Sequence, residues 1–354
     1  MKKILCAILA LAMMLSIAAC GSSSAPASSA APAASKAPAA SAPASEPAAD
    51  APAGKASFEL SMANTQPEAD VETQAMIKCK EILEEKTNGD IACTVYPNSE
   101  LGDTDDLVEQ AAQGMSVMVP TDPARLAAYI PEFGILQMPY LFPDLSYLDK
   151  VMETETYKAW DQEFLNHNVK VLAANWYGGA RHFVLNKEIN TPEDLAGVKV
   201  RTMKNAIATD SINAMGAVAT PMSQSEVYSA VEQKALDGCE NQSTSTYAQR
   251  YYEVLKVINK TNHFTLIGVP VVGTPFYDSL SPEYQKLMVD TFTGVGHDYQ
   301  EIGLQEEARV EAEMEKEGVT LHEVDQAAFR ERTEPLYAKF GYEELRAHLM
   351  DEMK

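Results

Sequence analysis

Apolar and polar residues alternate over residues 57–63 (S-F-E-L-S-M-A), and that period of two predicts a strand. A loop at 64–67 gives way to amphipathic helical spacing over 68–88, which Gly89 stops. The same reading predicts a strand at 90–97, a helix at 103–113 closed by Gly114, and an apolar strand at 115–120. This β-α-β-α-β order implies parallel strands with right-handed crossovers. A proline-rich apolar loop at 131–144 leads to one helix at 145–166 and a strand at 169–174. Gly178 and Gly179 follow, and two glycines after a strand predict a flexible crossing point. Strands at 181–186 and 198–202 belong to a second sheet, with helices at 204–215 and 226–234. A short strand and turn at 235–241 comes next, then a strongly apolar strand at 265–274 that returns to the first sheet. Residues 281–317 predict one long charged helix, and the remainder is helical.

The stretch 190–201 carries the sharpest local signals. Thr191 is placed to cap a helix, Pro192 takes its first position, and Glu193 and Asp194 face its positive end. Gly197 stops that turn, and Val198 and Val200 alternate with Lys199 and Arg201. Arg201 therefore falls near the carboxyl end of a strand, where open α/β sheets bind ligands. A guanidinium there offers a rigid fork of donors to a carboxylate. The alternative is a surface arginine paired with one of many acids.

The 354 residues suffice for two domains, and 46% hydrophobic content permits a real core. A net charge of −23 excludes a nucleic-acid binder and electrostatic docking on anionic lipid. Residues 1–20 predict a signal segment: Lys2 and Lys3, an apolar run, then Ile17-Ala18-Ala19-Cys20. That ending resembles the lipobox of bacterial lipoproteins, which implies cleavage before Cys20 and a lipid on it. Residues 21–56, almost wholly Ala, Pro and Ser, predict a disordered extended tether. Cys79, Cys93 and Cys239 form no metal or disulfide pattern; they are read as buried free thiols, with one bridge among them the alternative.

Enzyme signatures are thin. The six histidines make no HxxxH pair, and neither a nucleophile elbow nor a P-loop is present. The reading is of a binder, not an enzyme, with no cofactor and no metal. Carboxylate-recognising side chains do recur: Arg181, Arg201 and Asn241 sit at strand ends, near Trp176 and Tyr177.

Several runs resemble the DctP-type solute-binding proteins of TRAP (tripartite ATP-independent periplasmic) transporters. They include Glu85-Lys86-Thr87-Asn88-Gly89, Met138-Pro139-Tyr140-Leu141-Phe142, Gly179-Ala180-Arg181, the 191–201 stretch, Thr220-Pro221-Met222 and Glu240-Asn241. In this order and spacing they are specific, and they cover about residues 57–300. The resemblance implies an α/β fold of the type II periplasmic-binding-protein kind, two lobes closing like a flytrap with a long helix across both. Lobe I is expected at 57–179 with 267–305, and lobe II at 180–266 with 306–354. Arg201 matches the arginine that pairs with the ligand carboxylate, Asn241 the side chain holding the same group, and Arg181 a second pocket arginine. Trp176 and Glu68 join the candidate ligand contacts. Two positions depart from the family pattern. Gln224 stands where relatives often carry an aromatic residue. Lys204 stands where they often carry a small or amide residue, and it either reads a second group of the ligand or points to solvent. The expected protein is a monomer outside the cytoplasm, held to the membrane through Cys20, that passes a small organic acid to separate TRAP membrane subunits. A binding lipoprotein of an ABC importer and a secreted lipoprotein enzyme are the rival classes.

Overall fold

The first helix, Val71–Lys86, starts where Asp70 accepts the Glu72 amide at 2.9 Å. In the computed structural model, which describes residues 56–354, this start lies three residues later than the apolar spacing predicts. Glu68 is thereby left exposed, ahead of the cap. The signal segment, Cys20 and the tether to residue 55 lie outside the described residues.

Ten strands organise the described residues: β1 (Phe58–Ala63), β2 (Ile91–Tyr96), β3 (Val117–Thr121), β4 (Val169–Val171), β5 (Trp176–Leu185), β6 (Lys199–Thr202), β7 (Val218–Pro221), β8 (Gly238–Gln242), β9 (Val257–Gly273) and β10 (Thr320–Glu323). Their spatial order is β2-β1-β3-β9-β5-β8-β6-β7, with β4 and β10 also on β9. β1 pairs in parallel with β2 and β3, as the crossover rule requires. The second group is parallel too where β6 meets β7 and β8. Two lobes result, one around β1 and one around β6, and β5 and β9 run antiparallel through both.

Those two strands were read only in part from sequence. β9 has 17 residues, and its first part, Val257 to about Asn262, is polar after Val257 and Ile258, so the apolar pattern misses it; pairing with β5 and β10 on its two edges makes it a strand. β7 and β10, absent from the periodicity reading, are four-residue strands at the sheet margins, too short to show a period. Gly178 and Gly179 lie within β5, where the register with β9 shifts between Tyr177 and Gly179. Gly179 has φ +106°, and a Cβ there would come within 2.9 Å of Gln242 Cβ, so the pair serves a bulge under close packing. The helix expected at 145–166 is two helices, because Thr154 leaves helical geometry (ψ 151°) and caps the second, accepting the Tyr157 amide at 3.0 Å. The expected 204–215 helix begins only at Ala206, capped by Asn205, so Lys204 lies in the preceding turn.

The long helix Pro282–Lys316 spans 35 residues, about 52 Å at 1.5 Å per residue. It packs on the first helix, β5, the Ser243–Ala248 helix and β10. Trp176 stacks on its Phe292 and donates its indole N–H to the Phe292 carbonyl at 2.8 Å. Cores lie on either side of the crossing strands: Leu60, Met76 and Phe292 in one lobe, Phe183, Val200 and Phe329 in the other. Each fully buried large side chain contributes about 1.5–3 kcal/mol. Among the described residues no helix is long and apolar enough to cross a membrane.

Candidate functional site

Two adjoining cavities share Gln66, Glu72, Gln242, Leu266 and Gly268 and form one cleft along the crossing strands. One is lined by Arg125, Arg181 and Arg201, with Asp103, Asp122 and Gln224. The other is lined by Asp70, Glu72, Trp176, Tyr177 and Tyr299.

The three arginines are not equivalent. Arg125 is paired with Asp122 and, at 2.7 Å, with Asp105. Arg181 directs Nε to Glu240 Oε2, Nη1 to Gln242 at 2.6 Å and Nη2 to the Glu240 carbonyl at 2.8 Å. Glu240 is fully buried; burial alone would raise its carboxyl, but the Arg181 charge and His263 pull it down to about 2. It also accepts from Thr202 Oγ1 at 2.7 Å. Arg201, 3% exposed, donates Nε to the Met222 carbonyl at 3.0 Å and pairs with no carboxylate among the described residues. Burial lowers its pKa, Glu240 opposes that, and Arg181 adds to it. A guanidinium stays charged through such shifts. Among the described residues, Arg201 is therefore the buried arginine of the cleft with no carboxylate in ion-pair contact. Such a group is costly unless an anion meets it.

The local rules that shape 190–201 put this cation in place. Thr191 and Asp194 form a capping box on the turn Pro192–Leu195, and Gly197 takes φ +75°. β6 then runs between β7 and β8, with Arg201 opposite Thr220 and Cys239. Asn241 follows on β8, buried, its Nδ2 3.3 Å from Thr246 Oγ1 and its Oδ1 without a partner. It does not line either cavity in this arrangement; its neighbour Gln242 lines both.

Gln224 lines the cleft and exchanges amide hydrogen bonds of 3.2 and 3.3 Å with Gln66, and it donates to Ser245 at 2.6 Å. Lys204 meets neither the ligand space nor solvent alone: its Nζ is 3.0 Å from Asp103, which also accepts from Ser223 at 2.6 Å. Asp103 caps the Thr104–Ala112 helix of one lobe, so these contacts join the lobes. Trp176 lines the cleft with its N–H already engaged, and Glu68 stays outside. Sequence reasoning missed Asp70, Glu72, Gln66 and Tyr299. Only Asp70 left a signal there, as an acid placed to cap a helix.

Cys79, Cys93 and Cys239 are free and buried, and burial pushes the Cys93 and Cys239 thiols up to about 12. His182, Glu307 and Glu311 gather behind β5 at metal-ligand spacing. His182 Nδ1 accepts the Asn262 amide at 3.3 Å, so the neutral ring carries its proton on Nε2, facing Glu307 at 3.7 Å. Lys260 meets Glu311 at 2.5 Å. His182 Nε2 has no hydrogen-bond partner among the described residues, while Glu307 accepts from Tyr177 Oη at 3.1 Å and Glu311 from Ser243 Oγ at 2.6 Å, so these acids are engaged in tying the long helix to β5 and the Ser243–Ala248 helix.

Comparison with known proteins gives the family. Residues 62–344 match the family described as bacterial extracellular solute-binding protein, family 7. The sialic acid-binding periplasmic protein SiaP of Vibrio cholerae is 28% identical over 73% of this chain and 80% of its own length. A TRAP periplasmic solute-binding protein from Ochrobacterium anthropi, solved with L-fuconate, superimposes with a TM-score of 0.81 at 29% identity, over 84% of this chain and 99% of that one. One from Actinobacillus succinogenes, solved with L-galactonate, gives 0.79 at 29% identity, over 83% and 100%. The chain thus belongs to family 7 of the bacterial extracellular solute-binding proteins, the DctP-type receptors of TRAP transporters.

Proposed function

We propose that this protein is an extracytoplasmic receptor that captures a small organic acid between its lobes and hands it to TRAP membrane subunits driven by an ion gradient. The observation that carries the reading is Arg201, a buried guanidinium in the cleft with no carboxylate of its own. A ligand carboxylate supplies the missing charge, and closure excludes water and strengthens the new bonds. Asn241 joins Arg201 on the same carboxylate, its Nδ2 turning from Thr246 Oγ1 to donate. Arg181 acts beside it, held by Glu240 and adding field more than a new bond. The acids bound by the two solved relatives, L-fuconate and L-galactonate, support this class of ligand.

In this reading the lobes divide at 57–179 with 267–305 and at 180–266 with 306–354, so that the crossing strands form the hinge. Cys20 carries the lipid, and residues 21–56 hold the receptor off the membrane. It works as a monomer and catalyses nothing. The test is a thermal-shift screen of organic acids, followed by calorimetry on Arg201→Met. A loss of about 2–5 kcal/mol in affinity is expected, the effect of truncating one partner of a buried charge pair. Less than a tenfold loss would count against the assignment.

A further inference from the structure

The end of the cleft away from the arginines has a different chemistry. Asp70, Glu72, Trp176, Tyr177 and Tyr299 line it, and no Lys or Arg is among its lining residues. Glu72 Oε1 accepts from Asn64 Nδ2 at 2.9 Å, and Asp70 accepts the Glu72 amide. Neither carboxyl has a cationic partner among the described residues. Two acids and three aromatic rings around one space match the chemistry of an organic cation: carboxylates supply charge, and ring faces attract an ammonium by their quadrupole. The cleft thus has a guanidinium with no carboxylate partner at one end, Arg201, and two carboxyls with no cationic side-chain partner at the other, among the described residues.

Resting on the carboxylate-binding reading above, we propose that the ligand is a zwitterion, an acid whose amine or alkylated ammonium group sits between Asp70, Glu72 and the aromatic rings. A polyol acid with no cationic group would meet Arg201 and set only hydroxyls against the two carboxyls. The surrounding groups sharpen the demand. Asp122 faces Glu72 from β3's end, and Glu306 faces Asp70 from the long helix, itself paired with Arg309 at 2.5 Å. Burial and the Asp70 charge push Glu72 up to about 8, and burial pushes Asp70 up to about 6. A bound cation reverses that tendency and draws protons off.

The experiment is calorimetry on the purified chain with paired probes: 4-aminobutanoate and 5-aminopentanoate, their N,N,N-trimethyl derivatives, the ω-hydroxy acids of the same lengths, and L-galactonate. Amine-bearing acids are expected to bind at least tenfold more tightly than the hydroxy acids. They should release protons at pH 7 when measured in two buffers of different ionisation enthalpy. Glu72→Gln, which keeps the side-chain volume, should weaken the amine-bearing acids at least tenfold and change L-galactonate less than threefold. Hydroxy acids or L-galactonate binding as tightly as every amine-bearing probe would overturn the proposal, and so would equal losses for both classes in Glu72→Gln. Tyr299→Leu gives the same comparison if Glu72→Gln does not fold. Failure of Arg201→Met to weaken any acid would instead remove the underlying carboxylate reading.

Discussion

Arg181 and Glu240 close a buried ion pair between β5 and β8, 59 residues apart in the chain, and their pairing leaves Arg201 without a carboxylate of its own. Two arginines a few ångströms from one ligand space thus have opposite roles, one structural and one receptive. Removing them should have opposite signatures. Arg181→Met strands the Glu240 carboxylate in the interior and should lower unfolding free energy by about 3–5 kcal/mol. Arg201→Met removes an uncompensated buried charge and should leave the stability of the empty protein unchanged or raise it, while abolishing ligand-induced stabilisation. Denaturant titration with and without ligand separates the two. Equal destabilisation by both would contradict the assignment.

Glu72 predicts a pH dependence of definite sign. Its folded pKa is raised from 4.5 to about 8, so the folded state holds the proton more tightly than the unfolded chain. The contribution is complete below about pH 4.5 and is lost as pH rises through about 8. Melting temperature of the ligand-free protein, taken as wild type minus Glu72→Gln, should fall steadily across that window. A flat or rising difference would show that Glu72 is not held protonated.

Lys204 joins Asp103 across the lobes at 3.0 Å, with its side chain 39% exposed. Exposed pairs of this kind contribute about 0.2–1 kcal/mol. Lys204→Met should therefore loosen closure slightly and weaken all ligands alike, by less than about fivefold. Selective loss of one ligand class would restore the idea that Lys204 reads the ligand itself.

Two glycines of the long helix should respond oppositely to alanine. A Cβ at Gly294 meets nothing within 4 Å, so Gly294→Ala should stabilise by about 0.5–1 kcal/mol through helix propensity. A Cβ at Gly296 would fall on Asn175 Oδ1 and lie 2.5 Å from Trp176 Cδ1. That overpacking costs about 1–3 kcal/mol and exceeds the propensity gain, so Gly296→Ala should destabilise. Thermal unfolding of the two variants gives the comparison.

Elements with strong local causes were legible in the chain. The Thr191 cap, Pro192, Gly197 and the valines of β6 set one another within a dozen residues, and the Ser281 cap with Pro282 opens the long helix one residue from its expected start. The parallel order of β1, β2 and β3 followed from their intervening helices. Elements whose cause lies elsewhere in space were not legible. The polar half of β9 is a strand because β5 and β10 flank it, and β7 because β6 does.

For the cleft, the residues of the chain by themselves determined which side chains could meet an acid: a guanidinium at a strand end and a second one twenty residues before it. Only the tertiary structure decided which of them is free. That outcome depends on Glu240 reaching Arg181 rather than Arg201, and on Lys204 finding Asp103 across the lobes. Charge balance in a buried space is a sum over groups far apart in sequence, and no local pattern encodes it.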